Sequence, residues 1–113
     1  MDGISRRTFW LKEIVDVDIK SKEKTKIETR TPKMYRVILY NDDYTTMDFV
    51  VEILVSVFNK AAAEATRIML DVHKRGTGIC GVYIRDIAVT KVYQVHQLAK
   101  QNQFPLRCGY EET

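Results

Sequence analysis

The chain has almost nothing from which to build a disulfide framework: its 113 residues include two cysteines, Cys80 and Cys108, and two prolines. Both cysteines lie in apolar alternating runs, where a free thiol behaves as a small hydrophobe. They could sit on neighbouring strands and form one disulfide, but a lone pair without a secretory signal points to a reduced, cytoplasmic setting. An uninterrupted apolar leader with a small-residue cleavage site is missing, and no run approaches the roughly 18 apolar residues of a membrane span. The chain therefore reads as soluble, with no membrane partner, although Ser5, Arg6 and Arg7 leave an organellar address open.

A clustered basic face is also missing. The net charge is +3, and residues 1–33 carry nine Lys or Arg against six Asp or Glu, leaving nine of each for residues 34–113. A neutral body lacks the positive surface that phosphate-backbone binding requires, so nucleic acid is not an expected partner. No internal repeat or low-complexity segment is present.

What is there divides in two. Residues 1–33 are charged and poorly patterned, with Lys20, Lys22, Lys24 and Lys26 alternating among Ser, Glu and Thr, as in a flexible tail. Within it, Phe9, Trp10, Leu11, Ile14 and Val15 have helix-like spacing and could dock on the body or on a partner.

Residues 34–113 form the expected core domain. Residues 34–40 are β-branched and aromatic and stop at Asn41, Asp42 and Asp43, which predicts a buried strand ending in a turn. Thr45 with Asp48 resembles a capping box, and Met47, Val50, Val51, Leu54 and Phe58 recur at helical spacing. A second stripe, Ala61, Ala65, Ile68, Met69 and Val72, ends in Lys74, Arg75 and Gly76, a basic last turn followed by a glycine stop. Residues 78–85 predict a second strand. Asp86 is the expected cap of a third helix with stripe Ala88, Val92, Val95 and Ala99, and residues 106–111 predict the last strand. The fold class is thus α+β, order β-α-α-β-α-β, with a three-stranded antiparallel sheet packed against three helices.

The residues with most chemistry are Asn41, Asp42 and Asp43, just ahead of a helix, together with His73, which borders the Met69 and Val72 stripe. By themselves the first three read as a turn with a helix cap, and a lone histidine on such a stripe is usually structural. A calcium loop would need alternating ligands and a glycine, and zinc would need more His or Cys, so no metal or other cofactor is expected. A nucleophile pairing Cys80 or Cys108 with His73 or His96 would need surroundings that lower a thiol pKa, which strand-like apolar runs do not supply. No catalytic residue is expected.

Over its last 80 or so residues the chain resembles the ClpS family, adaptors of the AAA+ proteases built on ClpA or ClpC. The similarity is carried by Tyr40-Asn41-Asp42-Asp43-Tyr44-Thr45 with Met47 and Phe49-Val50, by Met69-Leu70-x-Val72-His73, and by Ile79-Cys80-Gly81-Val82. Ala88-x-Thr90-Lys91-Val92 and Phe104-Pro105-Leu106 complete it.

The resemblance implies recognition of N-degrons, the free α-amino ends of substrates with a large hydrophobic first residue such as Leu, Phe, Tyr or Trp. It places Asn41, Asp42 and His73 at the α-amine, with Asp43 and Thr45 shaping the turn and holding the peptide end. Met47, Val50, Met69, Val72 and Leu106, with Ile53 beside them, wall the pocket for the first side chain. Asp86 and Lys91 contact the N-terminal domain of a ClpA/ClpC-type unfoldase, and the tail is engaged during hand-over.

Two positions depart from the pattern. Thr46 stands where family members often carry proline, which predicts a looser first helical turn, and Val89 replaces an acid on the docking face. The competing reading is a general protein-interaction domain of the same fold with lost or narrowed degron specificity.

Overall fold

The computed structural model describes residues 31–113. The charged segment expected over residues 1–33, with Phe9, Trp10, Leu11, Ile14 and Val15, lies outside the described residues except for its last three.

Six elements follow in the expected order: β1 Met34–Tyr40, α1 Met47–Ser56, α2 Ala62–Arg75, β2 Thr77–Ile84, α3 Arg85–Gln101 and β3 Arg107–Glu112. The sheet is antiparallel with β1 in the centre, order β2-β1-β3. Leu39 stands opposite Gly78 on one side and Cys108 on the other. Because β1 lies between them, Cys80 on β2 and Cys108 on β3 are not on neighbouring strands, and both are free thiols.

Period-2 alternation sends Val37 and Leu39 into the main core with Cys80 and Cys108. The helices meet that face with stripes at three- and four-residue spacing: Val50, Ile53 and Leu54 from α1, Ala65, Ile68 and Val72 from α2, and Ala88, Val95 and Ala99 from α3. Val92, expected on the third stripe, is only partly buried against the core. Each large aliphatic side chain so buried contributes about 1.5–3 kcal/mol.

The starts of two helices differ from expectation. Thr46, not Thr45, caps α1, its Oγ1 accepting from Phe49 N at 3.2 Å. The residue expected to loosen that turn therefore holds it. Helix α3 begins at Arg85 directly after β2, with Ile84 at the N-cap position and no side-chain cap, so Asp86 lies within the first turn. There it complements the positive helix end without capping it.

Gly76 ends α2 in the left-handed region, φ 91°, which a residue with a Cβ adopts only under strain. Two residues on, a Cβ at Gly78 would lie 2.6 Å from Val72 Cγ2 and 3.2 Å from the Ile68 carbonyl oxygen. This glycine lets α2 approach β2 closely, which seats Met69, Val72 and His73 beside the end of β1.

Candidate functional site

The site is assembled where β1 runs out. The backbone N–H of Asn41 donates to the Gly76 carbonyl at 2.9 Å, tying the first loop to the end of α2. That bond brings a loop of polar residues against the last turn of a helix more than 30 positions away. In the sequence Gly76 carries only the signal of a helix stop.

The loop itself is organised by Asp42. Its Oδ1 accepts from Tyr44 N at 2.8 Å and Thr45 N at 2.7 Å, and its Oδ2 accepts from Thr45 Oγ1 at 2.6 Å. Burial acts to raise the Asp42 pKa and is the largest single effect, but the three hydrogen bonds from Thr45 and Tyr44 together outweigh it, leaving the carboxyl below its ordinary value. The turn-holding bonds thus fall to Asp42 and Thr45, while Asp43 is exposed.

Behind this loop lies a cavity of about 230 Å³, lined by Asn41, Asp42, Asp43 and Thr45 from the loop, Met47 and Val50 from α1, and Met69, Val72 and His73 from α2. The lining combines oxygens and an imidazole with thioethers and branched aliphatics. Val50 and Val72 are almost fully buried, whereas Met47 is 44% exposed. Two residues expected in the pocket are elsewhere: Ile53 and Leu106 belong to the buried core and do not line the cavity. Ile53 follows Val50 by three positions and is enclosed in the core, and Leu106 packs into the core just ahead of β3.

Of the expected docking pair, Asp86 is exposed. Lys91 is partly buried; its Nζ donates to the Val57 carbonyl at 2.6 Å and lies 5.9 Å from the Tyr83 ring centroid.

Neither cysteine has a nucleophile's setting. Burial, the main effect on both, pushes the Cys80 thiol well up and that of Cys108 up to about 12. His96 Nε2 accepts from the backbone N–H of Cys108 at 3.0 Å and serves as a structural acceptor. Among the described residues no three His, Cys, Asp or Glu side chains converge to hold a metal ion. No described helix is long and apolar enough to cross a membrane.

A small α+β domain with a cavity whose lining combines acceptors with apolar side chains has the makings of a binding module. The family model for the ATP-dependent Clp protease adaptor protein ClpS matches residues 30–109. ATP-dependent Clp protease adapter proteins ClpS from Syntrophus aciditrophicus and Acetivibrio thermocellus are 67% and 60% identical to it, over 73% and 80% of this chain and 77% and 91% of theirs. The structure of Agrobacterium tumefaciens ClpS2 bound to L-phenylalaninamide superposes with a TM-score of 0.71 at 38% identity, covering 74% of this chain and all of that one. The chain belongs to the ClpS family, a family of adaptors of the ATP-dependent Clp protease.

Proposed function

We propose that this adaptor captures proteins by a free α-amine and a large hydrophobic first residue, Leu, Phe, Tyr or Trp, at the cavity between the Asn41–Thr45 loop and His73, and hands them to the Clp protease. The observation that carries the reading is the match between that cavity and the ligand of the solved relative. L-phenylalaninamide joins a free α-amine to a benzyl side chain, and the cavity sets acceptors beside apolar walls. An α-ammonium has three donors and one charge, so converging acceptors are the complement it needs. The flexible thioethers of Met47 and Met69 suit a pocket that takes both leucine and aromatic rings.

Delivery is assigned to the N-terminal domain of a ClpA/ClpC-type AAA+ unfoldase, reached through Asp86 with Lys91 beside it. Residues 1–33 are assigned to the hand-over step, and the working compartment is the cytoplasm. A chain reduced to residues 34–113 is expected to keep near-full-length peptide affinity yet fail to support degradation of an N-degron reporter. Unimpaired degradation would remove the tail from the mechanism.

The central test is a panel of peptides differing only in residue one, each with a free and an acetylated end, read by fluorescence anisotropy. Acetylation removes charge and donors together and leaves the acceptors unpaired, at a cost of roughly 2–5 kcal/mol. Equal affinity for the two forms refutes the amine site.

A further inference from the structure

A second polar pocket lies at the edge strand β3 and shares no lining residue with the cavity. Its volume is about 410 Å³, and Tyr40, His96, Arg107 and Cys108 line it. No carboxylate is among them, and Arg107 makes no ion pair among the described residues.

The donors of this pocket are set by the sheet and by α3. Tyr40 and Arg107 are ladder partners, the last residue of β1 opposite the first of β3. The Arg107 guanidinium lies over the Tyr40 ring, 5.6 Å from its centroid. Such a contact holds the cation through the π face of the ring and leaves N–H donors of the fork for a second partner. From α3, His96 Nε2 accepts from the Cys108 backbone N–H at 3.0 Å, so the neutral ring carries its proton on Nδ1 and offers a donor there. Lys100, exposed one turn further along α3, adds a cation nearby.

We propose that this pocket takes a carboxylate, that of an acidic side chain in the substrate segment beyond the captured first residue, with Arg107 as its anchor. The guanidinium fork matches the two oxygens of a carboxylate. The occupant follows from position. Tyr40 runs directly into Asn41, which lines the cavity, and consecutive Cα atoms are about 3.8 Å apart. Arg107 stands one ladder rung from Tyr40, roughly 5 Å away. Extended peptide covers about 3.3 Å per residue, so a chain whose first residue fills the cavity reaches Arg107 within about three to five residues. The inference rests on the reading of the cavity as an N-degron site and adds to it a charge preference beyond residue one.

The experiment uses the full-length protein and Phe-first peptides that are identical except for a single Glu or Gln, placed in turn at positions two to six. Affinity is read by fluorescence anisotropy at low and high salt. Glu is expected to bind about two- to fivefold more tightly than Gln at one or two adjacent positions, with the difference shrinking as salt rises. Arg107→Gln is expected to remove the difference, and Arg107→Glu to reverse it in favour of Lys at the same positions, with thermal melting to check that both variants are folded. Equal affinity for Glu and Gln peptides at every position overturns the proposal, as does a preference that survives Arg107→Gln. Loss of unfoldase capture by Arg107→Glu with the peptide preference intact assigns the pocket to the protease and overturns it too. A wild-type protein that binds free and acetylated Phe-first peptides equally refutes the amine site instead, so the two failures are distinguishable.

Discussion

Lys91 Nζ donates to the carbonyl oxygen of Val57, the residue that closes α1, at 2.6 Å across 34 positions of sequence. Cations are favoured at helix C-termini, where the last carbonyls carry partial negative charge. The ammonium also approaches the Tyr83 ring. Lys91 therefore joins α3 to α1 as well as lying on the face assigned to the unfoldase.

It follows that Lys91→Met, which keeps the aliphatic stem and removes the donor, lowers stability by on the order of 1 kcal/mol in urea denaturation. Asp86→Ala, at an exposed carboxylate, is expected to weaken unfoldase capture without moving the midpoint. An unchanged midpoint for Lys91→Met would mean that water replaces the bond at no cost.

His73 lines the cavity but is exposed, so removing its imidazole opens no void in the core. His73→Ala is expected to weaken Phe-first peptides by tenfold or more, about 1.4 kcal/mol, with the melting temperature unchanged. Normal peptide binding by a normally folded variant would limit His73 to a surface role.

Asp42 makes the loop sensitive to acid, and the direction is fixed by its lowered pKa. A carboxyl with a lower pKa in the folded than in the unfolded chain contributes stability above the unfolded value, about 3.9, and loses that contribution as pH falls through the folded one. Asp42→Asn should therefore flatten the decline of stability below about pH 4 relative to wild type. Parallel pH profiles from urea melts would place the acid sensitivity in other carboxylates.

Met47 lines the cavity and is 44% exposed, and the role proposed for it is that of a gate. Its thioether can yield to leucine or an aromatic ring and crowd a side chain branched at Cβ. Met47→Ala is expected to admit Ile-first and Val-first peptides, measured by calorimetry against Leu and Phe. Continued rejection of both would assign the exclusion to Val50 or Val72.

The elements were legible wherever local signals agreed. The β-branched run ahead of Asn41 is β1 with the expected bounds, and Gly76 after a basic turn is the stop of α2. Signals that competed were less informative. Thr45 and Thr46 are both capping residues, and only the commitment of the Thr45 hydroxyl to Asp42 leaves the cap to Thr46. Asp86 looked like a cap because the sequence does not show that β2 passes into α3 without a loop.

By itself, then, the sequence determined the order of elements, their apolar faces and which residues carry acceptors, because these follow from periodicity, turn chemistry and side-chain type over a few positions. The tertiary structure decided which of those residues share a cavity. Val50 and Ile53 lie on neighbouring stretches of one helical stripe, yet one lines the cavity and the other is enclosed, a difference set by how α1 packs. Likewise, only the close approach of α2 to Gly78 and the bond from Asn41 to Gly76 bring His73 to the loop. The bond from Asn41 to Gly76 joins residues remote in sequence, and a one-dimensional pattern does not contain the distance between them.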